Sequence, residues 1–209
     1  METKHYWLFN IIAPVYGLFY QKQKKMFSEV IQDVNHELDL TIYDTILDVG
    51  CGTGALCSVL KENGLSVTGI DPAEKMLKIA RNKLGNAGIQ FMKADALEKL
   101  PFKNGDFDVV IASYVAHGLQ PDERKRMYAE MSRVADKLVI IYDYNEQRSV
   151  LTSIVEWLEG GDYFRFIRKA VPEMEDCENE MQSCFSEVRV LQVGERAAWY
   201  ICKPIKVRE

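Results

Sequence analysis

The chain has 209 residues, 47% of them hydrophobic, and a formal net charge of −5. A chain of this length is expected to fold as a single domain that buries roughly 70% of its unfolded surface. The negative charge disfavours nucleic-acid binding, which needs a basic surface to release counterions. We therefore expect a small-molecule partner, and a monomer or homodimer.

The five cysteines are odd in number and contain no Cys-x-x-Cys pair. This usage favours neither a disulfide framework nor a zinc site, so no metal is expected. It is typical of a reducing cytoplasm, which is the expected location. The cysteines are Cys51, Cys57, Cys177, Cys184 and Cys202.

Residues 4–40 have helical periodicity before any strand is predicted. The apolar stretch from Tyr6 to Tyr20 lacks a signal-peptide cleavage site and is too short to span a bilayer. Residues 13–17 contain Pro and Gly and predict a break between a short helix and a longer one. The longer helix has an apolar face with Phe19, Met26, Phe27, Val30, Ile31 and Val34, and its lysines Lys22, Lys24 and Lys25 are expected to face away.

Three roles are open for this N-terminal segment. It packs over one edge of the sheet, which is the ordinary role of such a helix. Alternatively it is a lid over a substrate cavity, with Tyr16 or Tyr20 reaching the ligand. Docking on a membrane surface through its aromatic and lysine faces is the third.

A glycine-rich turn follows the first predicted strand. Residues 45–49 are typical of a short buried strand, Gly50, Gly52 and Gly54 make a turn, and a helix begins at Ala55. Such a turn lets a ligand approach the backbone N–H groups at a helix N-terminus. The same residues satisfy the G-x-G-x-x-G/A pattern of dinucleotide enzymes, so the glycines alone do not identify the cofactor.

Asp71 ends the second predicted strand, residues 66–70, and follows Gly50 by 21 residues. Nucleotide-binding folds place the carboxylate that binds ribose hydroxyls at this distance. Because Pro72 and Glu74 follow, Asp71 also suits a helix cap with a capping box. Ribose binding is favoured, since Asp48 and the glycines lie upstream.

Further strands are predicted at residues 89–93, 107–113 and 137–142, with a helix from Pro121 to Val134. Alternation of strands and helices predicts a parallel sheet with ligands at the carboxyl ends of its strands. The helix carries charges that are expected at the solvated surface, namely Arg124, Lys125, Arg126 and Arg133.

Residues 145–186 interrupt the alternation and are predicted to form a helical insertion over the ligand edge. Residues 188–193 and 198–202 predict an antiparallel hairpin. The expected fold is α/β, with a Rossmann-like, seven-stranded, mostly parallel sheet, helices on both faces and an antiparallel last strand. The single domain divides into an N-terminal helical segment (1–40), a cofactor-binding core (41–144), the insertion (145–186) and the hairpin (187–203).

From about residue 40 to 203 the chain resembles the class I S-adenosylmethionine-dependent methyltransferases. Residues 48–54, Asp-Val-Gly-Cys-Gly-Thr-Gly, are similar to the cofactor loop of that family. Asp71 is similar to its ribose-binding acid, Asp95 with Ala96 to its adenine-contacting pair, and the hairpin to its reversed last strand. The dinucleotide-binding pattern of dehydrogenases does not require an aspartate two residues before the first glycine, where this chain has Asp48.

The N-terminus adds a narrower resemblance. Residues 12–16, Ile-Ala-Pro-Val-Tyr, are similar to the opening of the quinone-biosynthesis methyltransferases. Gly17 stands where an Asp is common in those proteins, so the broader family is the expectation.

The family resemblance implies S-adenosylmethionine as cofactor, S-adenosylhomocysteine as product, and in-line transfer of a methyl group to a small, apolar or aromatic acceptor. It implies that Asp48 anchors the ammonium, Asp71 the ribose, and Asp95 with Ala96 the adenine. Met76 suits the adenine face or the core equally well. Further cofactor contacts are expected from Gly50, Cys51, Gly52, Thr53, Gly54, Pro72, Met76, Ser113, Tyr114, Tyr16 and Tyr20.

A general base is needed where the acceptor must lose a proton. His117, just after the fourth strand, is the first candidate, and Asp143 and Tyr144, which follow the fifth predicted strand, come next. His117 is alternatively a loop histidine without chemistry, and Tyr163 and Phe164 are either cavity walls or core. A cofactor-binding protein without turnover is the second hypothesis, and a nicotinamide enzyme the third.

Overall fold

The computed structural model describes residues 5–144, 184–194 and 197–206. The chain forms two compact units, Met1–Asp95 and Ala96–Glu209. Together they contain the strands of a seven-stranded, mostly parallel sheet flanked by helices. The predicted insertion lies outside the described residues as far as residue 183, and so do Tyr163, Phe164 and Cys177. None of the helices in the described ranges is long and apolar enough to cross a membrane.

The first unit begins with helices α1 (His5–Leu18) and α2 (Tyr20–Val34). The break predicted at residues 13–17 is wrong, because α1 continues through Pro14 and ends at Leu18. A proline inside a helix removes one backbone hydrogen bond. Packing offsets this loss: Ala13 is fully buried in an apolar cluster with Ala73 and Met76, against which Phe9, Ile12, Tyr16 and Ile79 pack.

Helix α2 buries an apolar face, as predicted. Phe27, Ile31 and Val34 are buried on it, whereas Phe19 lies before the helix and is exposed. Lys24 was expected to face away, but it forms an ion pair with Glu62 and is partly buried. The remaining predicted lysines, Lys22 and Lys25, are exposed.

Three parallel strands follow in the first unit: β1 (Thr45–Val49), β2 (Ser66–Asp71) and β3 (Gln90–Lys93). Helix α3 (Ala55–Glu62) connects the first two strands and α4 (Glu74–Arg81) follows the second. Strand β2 lies between β1 and β3, and Val49 pairs with Ile70. Strands β1 and β2 therefore end side by side, which brings the glycine turn next to Asp71.

The second unit contains β4 (Phe107–Ser113), α5 (Pro121–Val134) and β5 (Ala135–Tyr144), with β4 and β5 parallel. The predicted hairpin is β6 (Phe185–Gln192) with β7 (Ala197–Pro204). Strand β7 is antiparallel to both β5 and β6. This arrangement confirms the predicted fold class, although β6 begins earlier than expected, at Phe185.

Two of the α5 arginines are not solvated as predicted. Arg124 is only 4% exposed and donates a hydrogen bond to the Leu119 carbonyl at 2.6 Å. Arg133 is half-buried, pairs with Glu130 and donates to the Phe102 carbonyl at 2.8 Å. A guanidinium has five N–H donors, so it can replace water for several loop carbonyls at once. Lys125 and Arg126 are exposed, as expected.

Candidate functional site

The glycine turn between β1 and α3 needs its glycines because Gly50, Gly52 and Gly54 have φ angles of 71°, 52° and 74°. Side chains disfavour this left-handed region. A Cβ atom added to Gly52 would have no atom within 4 Å, whereas one added to Gly54 would lie 2.5 Å from Nδ2 of Asn86. The turn is therefore open beside Gly52 and closely packed beneath Gly54.

Asp71 ties this turn to the end of β2. Its Oδ2 accepts the Gly52 N–H at 2.9 Å, and its Oδ1 accepts the Ala73 N–H at 2.7 Å. The N-cap of α4 is Ala73, so Asp71 is not itself the N-cap, although its bond to the Ala73 N–H is of the kind that a capping side chain makes. Burial raises the pKa of Asp71 to about 6, although both N–H donors act to lower it.

Asp48 lies beneath the same turn and is 1% exposed. Its Oδ2 accepts a hydrogen bond from the Cys57 thiol at 3.0 Å, while Oδ1 has no partner among the described residues. Burial raises the pKa of Asp48 to about 7, and the negative charge of Asp71 adds to this effect. A buried, unpartnered carboxylate oxygen costs free energy and suits a cation or hydrogen-bond donor from a ligand.

Two buried thiols accompany Asp48. Cys51 lies in the turn itself and Cys57 in α3. Burial raises the pKa of Cys51 to about 11 and that of Cys57 well above its usual range. Cys57 carries no motif that predicts a role, and its position one helical turn after the glycines is the available signal.

Asn86 is a buried residue that the sequence analysis did not identify. Its Nδ2 donates to the carbonyls of Thr53 at 3.2 Å and Ala80 at 2.9 Å. Its Oδ1 accepts the hydroxyl hydrogen bond of Tyr20 at 2.9 Å. Asn86 therefore fixes the end of the glycine turn, and no local pattern in its Gly-rich segment indicates this.

The other cofactor residues predicted in the first unit have varied surroundings. Tyr20 is buried and directs its hydroxyl to Asn86, while Met76 is buried in the cluster with Ala13, which favours the core alternative for it. Pro72 and Asp95 are half-buried. Ligand contacts by Tyr16, Tyr20, Pro72, Met76 and Asp95 stay predictions, and so does the contact predicted for Ala96, the first residue of the second unit.

In the second unit, Ser113 and Tyr114 lie at the carboxyl end of β4. The Ser113 hydroxyl is buried and has no hydrogen-bond partner in the described part of the chain. Tyr114 has a φ of 55°, an unusual value for a residue other than glycine. Its N–H donates to the Tyr142 carbonyl at 2.8 Å, and the two rings lie 4.8 Å apart, which holds this strained residue in place.

His117 and Asp143 form a buried pair in the same unit. The Nδ1 atom of His117 lies 2.9 Å from Oδ1 of Asp143, and the His117 backbone N–H donates to Oδ2 at 3.2 Å. Two contacts from one carboxylate fix both the backbone and the ring of His117. The structure thus brings together two of the three predicted catalytic residues; a role for Tyr144, the last residue of β5, stays a prediction.

The chain matches the family model described as "Methyltransferase domain" over residues 46–137. It is 25% identical over 163 residues to an uncharacterized methyltransferase of Staphylococcus carnosus, covering 75% of this chain and 76% of the relative. It is 38% identical over 114 residues to a demethylmenaquinone methyltransferase of Thermus thermophilus. That match covers 51% of this chain and spans 50% of the relative's length.

A likeness among solved structures extends over almost the whole chain. A putative S-adenosyl-L-methionine-dependent methyltransferase from Methanococcus maripaludis superposes with a TM-score of 0.72 at 17% identity. The superposition covers 95% of this chain and 94% of that protein. At this identity the likeness shows the fold alone.

Proposed function

We propose that this chain is a class I S-adenosylmethionine-dependent methyltransferase and that it transfers a methyl group from S-adenosylmethionine to a small, apolar or aromatic acceptor. The observation that carries this proposal is Oδ1 of Asp48 beside the open glycine turn, a buried oxygen for which the described part of the chain offers no partner. A buried anion at this place fits the ammonium of a methionine group.

The residues of the turn suit the rest of the cofactor. The open backbone at Gly52 accepts close approach of a ligand, and Asp71 keeps lone pairs for ribose hydroxyls beyond those used by Gly52 and Ala73. Asp48 and Asp71 would thus hold opposite ends of the cofactor. When bound, S-adenosylmethionine supplies a methyl carbon already activated by the positive sulfur, so alignment and exclusion of water are the protein's main tasks.

We propose His117 as the general base and Asp143 as its positioning residue. The buried Asp143 carboxylate favours the tautomer with hydrogen on Nδ1, which leaves Nε2 as the proton-accepting atom of the ring. His117 would take a proton from the acceptor as the methyl group is transferred. The acceptor class that needs this help carries an ionisable hydroxyl or similar group.

The Thermus relative favours an aromatic acceptor. Its name, demethylmenaquinone methyltransferase, describes a ring substrate, and its matched region includes about half of this chain. A ring hydroxyl is acidic enough for an imidazole base to remove its proton in the transition state. We therefore place hydroxylated aromatic rings first among acceptors for this chain.

Two measurements test the proposal. Titration calorimetry with S-adenosylhomocysteine should show binding, while NADH should show none; binding of NADH alone would overturn the assignment. Incubation with methyl-labelled S-adenosylmethionine and a panel of phenols and hydroquinones should then label the acceptor. Tight cofactor binding with no labelled product from that panel or from a metabolite extract would favour a binding protein without turnover.

A further inference from the structure

Helix α1 exposes an apolar stripe on the side opposite to its packed face. The stripe consists of Trp7, Ile11, Val15 and Leu18, which are spaced four, four and three residues apart and so lie on one helix face. These side chains are between 49% and 83% exposed. Exposed apolar residues on a normal surface are scattered singly, whereas these four lie together on one helix face. Such a contiguous patch indicates an interaction site.

The stripe does not result from a loosely attached helix. The other face of α1 packs into the apolar cluster of Ala13, Ala73 and Met76. The helix is also tied to α4 by the Lys75 N–H, which donates to Oδ1 of Asn10 at 3.0 Å. At its other end, Lys83 donates to the Gly17 carbonyl at 2.9 Å. The exposed face is therefore presented on a fixed helix.

The charge around the stripe is opposite to that of the whole chain. Residues 5–28 contain three lysines and no acidic residue. Residues 72–88, which include α4, contain four basic residues and one acidic residue. Each segment thus has three more basic than acidic residues, although the chain has a net charge of −5. Among these basic residues, Lys24 pairs with Glu62, Lys25 with Glu29 and Arg81 with Glu74, and Lys83 donates to the Gly17 carbonyl. The exposed lysines that carry the argument are therefore Lys22, Lys75 and Lys78.

We infer that the α1 stripe docks on the surface of a bilayer that contains anionic lipids. The apolar side chains enter the boundary between headgroups and acyl chains, and the exposed lysines Lys22, Lys75 and Lys78 supply the attraction to anionic headgroups. A helix of 14 residues lies on such a surface rather than crossing it. A second copy of the chain is a poorer occupant, because stacking two such faces brings like charges together.

Vesicle sedimentation with the full chain tests this inference without any assay of methyl transfer. Vesicles of phosphatidylcholine and phosphatidylglycerol should retain the protein at low salt and release it at high salt. Vesicles of phosphatidylcholine alone should retain much less. The double variant Trp7→Ser, Leu18→Ser should bind the anionic vesicles roughly tenfold more weakly or worse, because it removes two anchors.

The matched control is Ile42→Ser, which removes an apolar side chain that is 68% exposed but lies outside the stripe. This variant should bind like the wild type, while Lys22→Glu, Lys78→Glu should lose the preference for anionic vesicles. Equal binding by the stripe variant and the Ile42 control would overturn the inference. A wild-type protein that binds no vesicle would also overturn it. If ultracentrifugation then finds a dimer that the stripe variant disrupts, the occupant of the stripe is a second copy of the chain.

Discussion

The thiol of Cys57 donates a hydrogen bond to Oδ2 of Asp48 at 3.0 Å, and Oδ1 of the same carboxylate has no partner among the described residues. The carboxylate is therefore held in one orientation without being neutralised. A buried acid in this condition destabilises its own fold when it ionises. We propose that the protein has this destabilising carboxylate because it binds a ligand.

Replacing Asp48 with Asn should weaken binding of S-adenosylhomocysteine by roughly 2 kcal/mol, the size of a charged hydrogen bond. The amide keeps the shape of the side chain but removes its charge. Calorimetric titration measures the effect, and Asp39→Asn is the control, since Asp39 caps a turn through the Thr41 N–H. Equal affinities for the wild type and the Asp48 variant would remove Asp48 from the cofactor site.

The free energy of unfolding of the ligand-free protein should fall as the pH rises, because Asp48 ionises while buried. Its pKa is raised from 3.8 to about 7 in the folded state, so its stabilising contribution is complete below about pH 4 and is lost as the pH rises through 7. Urea unfolding between pH 4 and 8 should therefore show a relative loss on the order of 4 kcal/mol in the wild type compared with Asp48→Asn. Parallel stability curves for the two proteins would contradict this prediction.

Cofactor binding should be linked to protons through the same residue. The ammonium of the ligand favours ionised Asp48, so binding below about pH 7 should release a proton and weaken as the pH falls. Titrations in buffers of different ionisation enthalpy at pH 6 measure the protons released. Asp48→Asn should lose most of this release, and unchanged proton release in the variant would assign it to another group.

Asp71→Asn should reduce the preference of the protein for adenosine over an adenosine analogue that lacks the 2′ and 3′ ribose hydroxyls. The wild type should bind adenosine more tightly than 2′,3′-dideoxyadenosine by about 2 kcal/mol, and the variant should lose most of this difference. A comparison of two ligands separates ribose recognition from loss of the structural bond to the Gly52 N–H. If both proteins discriminate equally, Asp71 only ties β2 to the turn.

His117→Gln should lower kcat by roughly 10²-fold or more without changing the affinity for S-adenosylhomocysteine. Asp143→Asn should lower it as well, because Asn can favour the wrong imidazole tautomer. Part of the lost activity should return at high pH, where a phenolic acceptor ionises by itself. A kcat lowered equally at every pH would reduce the pair to a structural role.

Tyr20→Phe should cost about 1 kcal/mol of unfolding free energy, because it removes the hydrogen bond to Asn86. Affinity for the cofactor should change little if Tyr20 acts as an anchor for the turn. A large loss of affinity with normal stability would favour the lid role instead. Chemical denaturation and calorimetry on the same samples separate the two.

The strands of the core could be predicted because their signals are local. Buried apolar runs such as β1 and β4 end at glycine or polar residues, and their predicted bounds agree with the structure. The place of Asp71 beside the glycine turn followed from the parallel topology, since the carboxyl ends of neighbouring strands meet.

The errors arise where tertiary contacts outweigh local preference. Pro14 predicts a helix break, but the packing of Ala13 against α4 keeps the helix continuous. Arg124 has the charge of a surface residue, but the Leu119 carbonyl offers it a buried partner. Asn86 acts through residues distant in sequence, Tyr20 and Thr53, so no local pattern identifies these partners.

The burial of Cys51 protects its thiol from being methylated by the proposed cofactor. A thiolate beside a methylating sulfonium would compete with the acceptor and inactivate the protein by alkylating it. With a pKa of about 11, only about one Cys51 in ten thousand is ionised at pH 7. If S-adenosylmethionine binds at this turn as we propose, the Cys51 thiol beside it stays protonated and unreactive, and the methyl group goes to the acceptor.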